Sequence, residues 1–459
     1  MKSPLHPSIH PIAALPSTNR RSFIRGALAL GASISAHSTF AAMAKHPLAG
    51  TILPKWENGH FRISVLFNGR GETSFLVFPD GTSMMIDCGD YTFSGRDVVT
   101  HLPKDSRRAG ELTARYVLRE NPNGRKVDYF LLTHYHSDHA GSGKFSAGRS
   151  PNGKYSLSGI GQAMDLLDFG VFIDRSWPNI NDPSPRNDNF DDWTVKHVKE
   201  IYSEAERRGI KVERFRLEKN STQIRQLHTP ALGGPRSVAA TGGTGVPPVH
   251  APFTFLPLCS NGCILQPDGT IQDLGKLAGP NGTRAKFGEN ALSIGFILSL
   301  GDFRYFTAGD FSGGVKCADG SRADIENELA KICPPVDVAK ANHHGHHTMP
   351  DALVNALRAR LIVAGIWHRQ HMNRPTMRRL SKATWPCLYA PGLFPKQRRE
   401  EDAAEPWLKG IAPESFEGAH AVIDVAPDGK TYRLMMVSAA DDSCRILGAY
   451  DFTTTTKSK

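Results

Sequence analysis

The stretch Val127-Asp128-Tyr129-Phe130-Leu131-Leu132-Thr133-His134-Tyr135-His136-Ser137-Asp138-His139-Ala140-Gly141 constrains this chain more than any other. A short apolar run of strand character stops abruptly. Three histidines and an aspartate follow within six residues. A strand end projects a tight loop, so alternate side chains on that loop converge on one point. Imidazole nitrogens suit zinc and similar ions, and a carboxylate adds a hard oxygen donor. Dividing the cluster into His134/His136 and Asp138/His139 gives two neighbouring metal positions.

The rest of the chain is consistent with such a loop sitting between sheets. Residues 62–67, 74–78 and 83–87 read as strands, separated by Asn68-Gly69-Arg70-Gly71 and Pro79-Asp80-Gly81-Thr82, which is a meander signal. Residues 127–133 add another strand. Helical periodicity covers 160–170 and 190–208, with a strand at 171–174 between them. Further on, strands are expected at 291–300, 303–307, 336–341 and 361–366, and helices at 324–332, 351–360 and 375–382. The tail carries strands at 421–425, 432–438 and 444–450. A meander followed by β/α alternation predicts an α+β fold of two mixed sheets flanked by helices. Residues 228–285 include Thr241-Gly242-Gly243-Thr244-Gly245-Val246-Pro247-Pro248-Val249-His250, too rich in Gly and Pro for regular structure, and read as a peripheral surface insertion. The expected organisation is an N-terminal segment over 1–44, a main α+β domain over 45–400 and a β-rich C-terminal extension over 401–459.

The chemistry-bearing residues resemble the metallo-β-lactamase superfamily, whose fold is a four-layer αββα sandwich. Asp87, ending Met84-Met85-Ile86-Asp87-Cys88-Gly89, matches its first motif, and the resemblance gives Asp87 the role of orienting the metal loop. The His134 cluster matches the second motif, and Phe306-Thr307-Ala308-Gly309-Asp310 the fourth, whose Asp bridges both metals. Ala341-Asn342-His343-His344-Gly345 resembles the His-His-Gly segment of the competence-protein (ComEC-type) hydrolases. Glu289-Asn290-Ala291-Leu292-Ser293 resembles the E-N-x-x-S signature of the same group, and 167–175 its strand after the first helix. The resemblance spans roughly residues 61–395, interrupted at 176–288. It implies His134, His136, Asp138, His139 and Asp310 as metal ligands, with His343 or His344 completing the second metal, and Asn290 supporting them. The chain departs from the pattern in three places. No His stands at the third-motif position, which leaves the first metal with His134, His136 and Asp310. His346 replaces the group's Ser after His-His-Gly. Arg374-Pro375 stands where His-Pro is usual, with His368 and His371 nearby.

These residues imply two divalent ions, zinc or manganese, and water activated between them for hydrolysis. Asp138, His343, His344 and His368 are the candidate catalytic groups. A phosphodiester is the substrate the resemblance favours, either nucleic acid or a small head-group ester. A lactone, β-lactam or thioester would use the same core, and a degenerate binding protein is a further reading. The formal charge is +10, of which Lys2, Arg20, Arg21 and Arg25 supply four. The remaining charge of about +6 suits anionic substrates. Thr18-Asn19-Arg20-Arg21-Ser22-Phe23-Ile24-Arg25 resembles a twin-arginine export signal. A short apolar run follows it, then Ala42-Met43-Ala44 as the cleavage site. Export to the periplasm or medium is therefore expected. No other run is apolar enough to span a membrane. The seven cysteines are an odd count, so at least one thiol is free in an exported chain, while Cys259 and Cys263 are close enough to pair locally.

Overall fold

The computed structural model describes residues 46–91, 98–104, 106–186, 191–228, 250–279, 283–312, 314–316 and 322–456. The expected export segment lies outside the described residues. The strands run in chain order as β1 (Phe61–Val65), β2 (Ser74–Val77), β3 (Ser83–Ile86), β4 (Lys126–Leu132), β5 (Asp168–Asp174) and β6 (Lys211–Arg214). Then follow β7 (Phe253–Ser260), β8 (Cys263–Leu265), β9 (Ile271–Asp273), β10 (Gly295–Leu300) and β11 (Phe303–Ala308), with β12 (Gly314–Lys316) and β13 (Arg322–Asp324) forming a small separate ribbon. The chain ends with β14 (Val338–Lys340), β15 (Leu361–Ala364), β16 (Leu388–Pro391), β17 (Ala419–Val425), β18 (Thr431–Ser438) and β19 (Ile446–Thr453). They build a nine-stranded sheet in the order β19-β18-β17-β1-β2-β3-β4-β5-β6 and an eight-stranded sheet in the order β16-β15-β14-β11-β10-β7-β8-β9.

Side-chain alternation explains why the two sheets stack. Tyr129 and Leu131 of β4 join Phe296 and Leu298 of β10 and Leu361 and Val363 of β15 in one buried cluster between the sheets. The intervening Phe130 and Leu132 face the other way. There they meet α1 (Ala109–Glu120), α2 (Ile160–Leu166) and α3 (Asp192–Arg207). Helix α3 presents Val195, Val198, Ile201, Tyr202 and Ala205, the one-sided spacing of an amphipathic helix. Asp191 caps its start by accepting from the Trp193 and Thr194 N–H groups. On the far side, Ile362 and Ala364 of β15 pack against α4 (Ile325–Leu329), α5 (Asp351–Leu357) and α6 (Arg374–Leu380). Three apolar interfaces therefore separate four layers, which is the expected αββα sandwich. Each well-buried Leu or Phe in these interfaces contributes roughly 1.5–3 kcal/mol.

Two segments differ from the sequence reading. Residues 228–285 are not simply a peripheral loop: within them β7 pairs with β10 from Phe253↔Leu300 to Cys259↔Gly295, inside the second sheet. Pro257, which reads as a strand breaker, sits where the β7–β10 register shifts, so the ladder accommodates its missing N–H. Cys259 and Cys263, which stand close enough in sequence to pair, are not bonded, and both thiols are free. The segment after residue 400 is continuous with the sandwich. β17 pairs antiparallel with β1 from Phe61↔Val425 to Val65↔Ala421, and β18 and β19 extend the sheet edge.

The two sheets present their loops at one rim. β3, β4 and β5 are parallel neighbours, as are β11, β14 and β15. Their carboxyl ends lead respectively to Asp87, the His134 loop, Asp174, Asp310, the His343–His344 turn and Trp367. Ligand sites of α/β sheets lie at such ends. The Ile294 N–H donates to the Thr133 carbonyl at 3.1 Å and joins the sheets directly beneath this rim.

Candidate metal centre

The metal loop is clamped to the strand before it. Gly89 packs so tightly on the loop that an added Cβ would lie 1.8 Å from the Asp138 carbonyl oxygen. The Asp87 carboxylate accepts from the Thr133 N–H at 2.7 Å and the Thr133 hydroxyl at 2.8 Å, and lies 2.8 Å from His139 Nδ1. With Nδ1 held by a carboxylate, the His139 lone pair sits on Nε2, facing the centre. Asp87 lies outside the Asp138–His139–Asp310–His344 group, but with Glu72 and His139 it forms a second buried group whose donor atoms lie within 4.8 Å of one another. The Asp87 backbone is left-handed at φ 56°, a strained value for a non-glycine residue.

Four donors then meet. His139 Nε2 lies 3.1 Å from Asp310 Oδ2 and 3.7 Å from Asp138 Oδ2. His344 Nε2 lies 3.1 Å from Asp138 Oδ2 and 3.2 Å from Asp310 Oδ2. The four ligand atoms all fall within 4.8 Å of one another, and all four residues are buried. Donors on a tetrahedral ion with bonds of about 2.0–2.2 Å stand about 3.3–3.6 Å apart, so the spacing suits one cation. His139 Nε2 and Asp310 Oδ1 are buried without a hydrogen-bond partner in the protein, as donors awaiting an ion would be. Gly309 lets Asp310 in, because a Cβ there would stand 2.6 Å from Ser293 Oγ. That hydroxyl accepts the Asp310 N–H at 3.0 Å.

His343 and His344 are consecutive left-handed residues, with φ 46° and 53°. This sharp turn sends the two rings in different directions. His344 joins the four donors, whereas His343 does not. His343 Nε2 instead lies 3.3 Å from Asn290 Nδ2, and its Nδ1 is buried without a partner. His344 Nδ1 donates to the Gly365 carbonyl at 2.9 Å and lies 3.1 Å from Glu72 Oε2, leaving Nε2 for the ion. Glu72 is itself 2.6 Å from Lys340 Nζ, both about 1% exposed.

His134 and His136 form a second, sparser group. His134 Nε2 lies 3.2 Å from His136 Nδ1, and Thr133 Oγ1 sits 3.1 Å from His134 Nδ1. Among the described residues no third ligand type joins them in a compact cluster.

The charges follow from this packing. Burial pushes the Asp310 carboxyl up, but His139 and His344 beside it outweigh that and hold it well below the usual range. Burial pushes His139 and His344 down, yet the surrounding carboxylates, Asp310 foremost, draw both well above the ordinary histidine value. His134 is held well below it by burial and by His139 and His136.

His368, a candidate catalytic group from sequence, stands off from the donors. Its ring centroid is 5.6 Å from that of His371. His371 is the ring stacked on His344, at 4.4 Å and 12°. His346 is half-buried beside His343, and His347 is exposed. Three residues that sequence reading did not single out touch the site. Glu72 and Lys340 are described above, and Trp367 Nε1 donates to Asp138 Oδ2 at 2.8 Å. Lys340 carried a readable signal, a lone cation inside the buried run Val338-Ala339-Lys340-Ala341.

No curated protein matches the chain. Among the described residues, no helix is long and apolar enough to cross a membrane. The family model described as Metallo-beta-lactamase superfamily matches residues 68–270, a span that holds Asp87 and the whole His134–His139 cluster. Asp310 and His344 lie beyond that span and are brought to the cluster by the second sheet. The sandwich, the loop and the buried Asp/His donors agree with that match: residues 68–270 are similar to the metallo-β-lactamase superfamily, and the four donors support a metal-dependent hydrolase site.

Proposed function

We propose that the chain is an exported phosphodiesterase that works with two divalent ions, zinc or manganese. The observation that carries this reading is the convergence of the ComEC-like signature on one site. Glu289 accepts the Tyr135 N–H of the metal loop at 2.9 Å, Asn290 faces His343, and Ser293 holds the Asp310 N–H. Lactonases and β-lactamases lack these residues as a set. Bound divalent ions supply Lewis acidity, which brings the pKa of water toward neutrality and offsets charge building on the phosphoryl oxygens.

The chain's own residues do the rest. Asp138, His139, Asp310 and His344 would hold one ion, and His134 and His136 would supply ligands to the other. The Trp367 indole N–H fixes the free rotation of Asp138. With Asn290 donating to His343 Nε2, the His343 ring proton sits on Nδ1, which has no protein partner and is free to serve a leaving-group oxygen. Export rests on the twin-arginine-like segment Arg20-Arg21-Ser22-Phe23 and places the substrate in the cell envelope or medium.

The test is a substrate panel of bis-p-nitrophenyl phosphate, single- and double-stranded DNA, a lactone and a β-lactam, each with zinc and with manganese. The phosphodiesters should turn over fastest. A lactone or β-lactam cleaved orders of magnitude faster would overturn the substrate reading and leave the fold untouched.

A further inference from the structure

Behind the sparse half of the centre lies a buried polar network that the hydrolysis itself does not use. Tyr135 sits between His134 and His136 and points the other way, into the protein. Its backbone N–H donates to Glu289 Oε1, and its hydroxyl donates to Asp174 Oδ2 at 2.8 Å. The Arg175 guanidinium lies 4.4 Å above its ring. Arg175 grips Glu289 in a two-pronged pair, Nε to Oε1 and the second nitrogen to Oε2, both at 2.8 Å. Asn261, in the turn between β7 and β8, accepts from Arg175 at 3.0 Å and donates back to the Arg175 carbonyl at 2.5 Å. Arg175 and Glu289 are at most 1% exposed.

A fully buried ion pair adds little net stability over an apolar pair of the same volume, since desolvation cancels most of the attraction. It does fix geometry, because two parallel charge-assisted bonds permit one arrangement. Here the fixed object is the peptide between His134 and Tyr135. Holding that peptide, the ring and the hydroxyl leaves the His134–His136 backbone no freedom to swing the two imidazoles apart. Rigidity of this kind offsets the lack of a third histidine, because donors that are already ordered lose less entropy on binding.

We infer that Glu289 and Arg175 are positioning residues for the first metal. Through Tyr135 they hold His134 and His136 in ligating geometry before any ion arrives, and Asn261 braces the pair from the second sheet. The inference rests on the metal-site reading and not on the identity of the substrate.

Two neutral double variants test it, R175M/E289Q and R175M/E289L. They share the loss of the ion pair and differ mainly in whether an acceptor for the Tyr135 N–H remains. Zinc affinity and stoichiometry, and the visible spectrum of the cobalt-substituted protein, are measured along with thermal midpoints. The Gln variant should bind its more labile ion within a few-fold of wild type and keep the cobalt spectrum. The Leu variant should lose on the order of 10–100-fold in that affinity, with the four-donor ion retained. Equal ion affinity and spectra in the two variants would overturn the proposal. If neither double variant folds, Asn261→Gly takes their place, since it keeps the left-handed turn at φ 58°. It should weaken the labile ion by on the order of 3-fold, and no change would overturn the proposal. A wild-type protein that binds no zinc or cobalt would instead refute the metal reading itself.

Discussion

The two halves of the candidate metal centre are built in opposite ways. The four-donor half gathers Asp138 and His139 from the loop after β4, Asp310 from the end of β11 and His344 from the turn after β14. It exists only when both sheets are stacked. Its donors are oriented by residues just outside it: Asp87 on His139, Gly365 and Glu72 on His344, Trp367 on Asp138. The other half takes His134 and His136 from one loop, two residues apart, and relies on a network beneath the loop for its shape. One half owes its geometry to the number of converging elements. The other depends on how firmly a single element is held. Both are ways of meeting the same requirement, that donors be in place before the ion.

This contrast predicts a hierarchy. The largest effect should come from Asp310, which the proposed two-ion reading shares between both halves. Asp310→Ala should lower kcat/KM on bis-p-nitrophenyl phosphate on the order of 10³-fold or more and remove both ions, whereas His136→Ala should remove about one equivalent. Elemental analysis of the two variants decides this, and equal losses would erase the distinction between the halves. Next in size is chelator sensitivity. Metal per protein, followed against rising chelator, should fall in two steps separated roughly tenfold or more, with the His134/His136 ion leaving first. A single step would mean the missing third histidine has no consequence.

The smallest effect concerns the scaffold of the four-donor half. Glu326 lies buried under the His344 turn and accepts from Asn342 Nδ2, Thr348 Oγ1 and the Met349 N–H, all on one oxygen. Burial pushes its carboxyl up from 4.5 to about 7. The folded state therefore keeps a proton that the unfolded chain releases above pH 4.5. Stability from this group is greatest below 4.5, declines as pH rises to about 7, and is level beyond. Glu326→Gln removes the slope. The thermal midpoint of wild type relative to the Gln variant should drop by roughly 1–3 °C between pH 4.5 and pH 7.5. A constant difference across that range would show that Glu326 is ionised throughout.

Much of this was legible before the structure, and the reasons are local. The His134–His139 donors are contiguous in sequence, so their convergence needs only a strand end. The meander and the later β/α alternation show in side-chain periodicity, and strand bounds differ from expectation by only a few residues. What escaped depends on distant partners. Glu72 is an ordinary glutamate after a glycine turn until β14 places Lys340 and His344 beside it. Helix α1 lacks a start signal, since Arg108 offers no side-chain cap and Gly110 sits in its first turn. β7 is masked by its neighbours: the Gly/Pro run before it makes the whole segment look irregular. The choice between His343 and His344 turned on two left-handed residues, which sequence alone cannot order.

The pairing of β17 with β1 also has a meaning in time. β1 sits fourth from one edge of a nine-stranded sheet, and the three strands on that side follow every other described strand in the chain. Until residues 419–425 emerge, β1 presents an open row of backbone donors and acceptors to whatever is nearby. The first sheet cannot be finished until these late strands have emerged, and the β1–β17 contact spans more than 350 residues. Such long-range closure is slow and exposes intermediates to misassociation. A chain interrupted between residues 400 and 419 would keep every candidate metal ligand and still leave β1 without its neighbour.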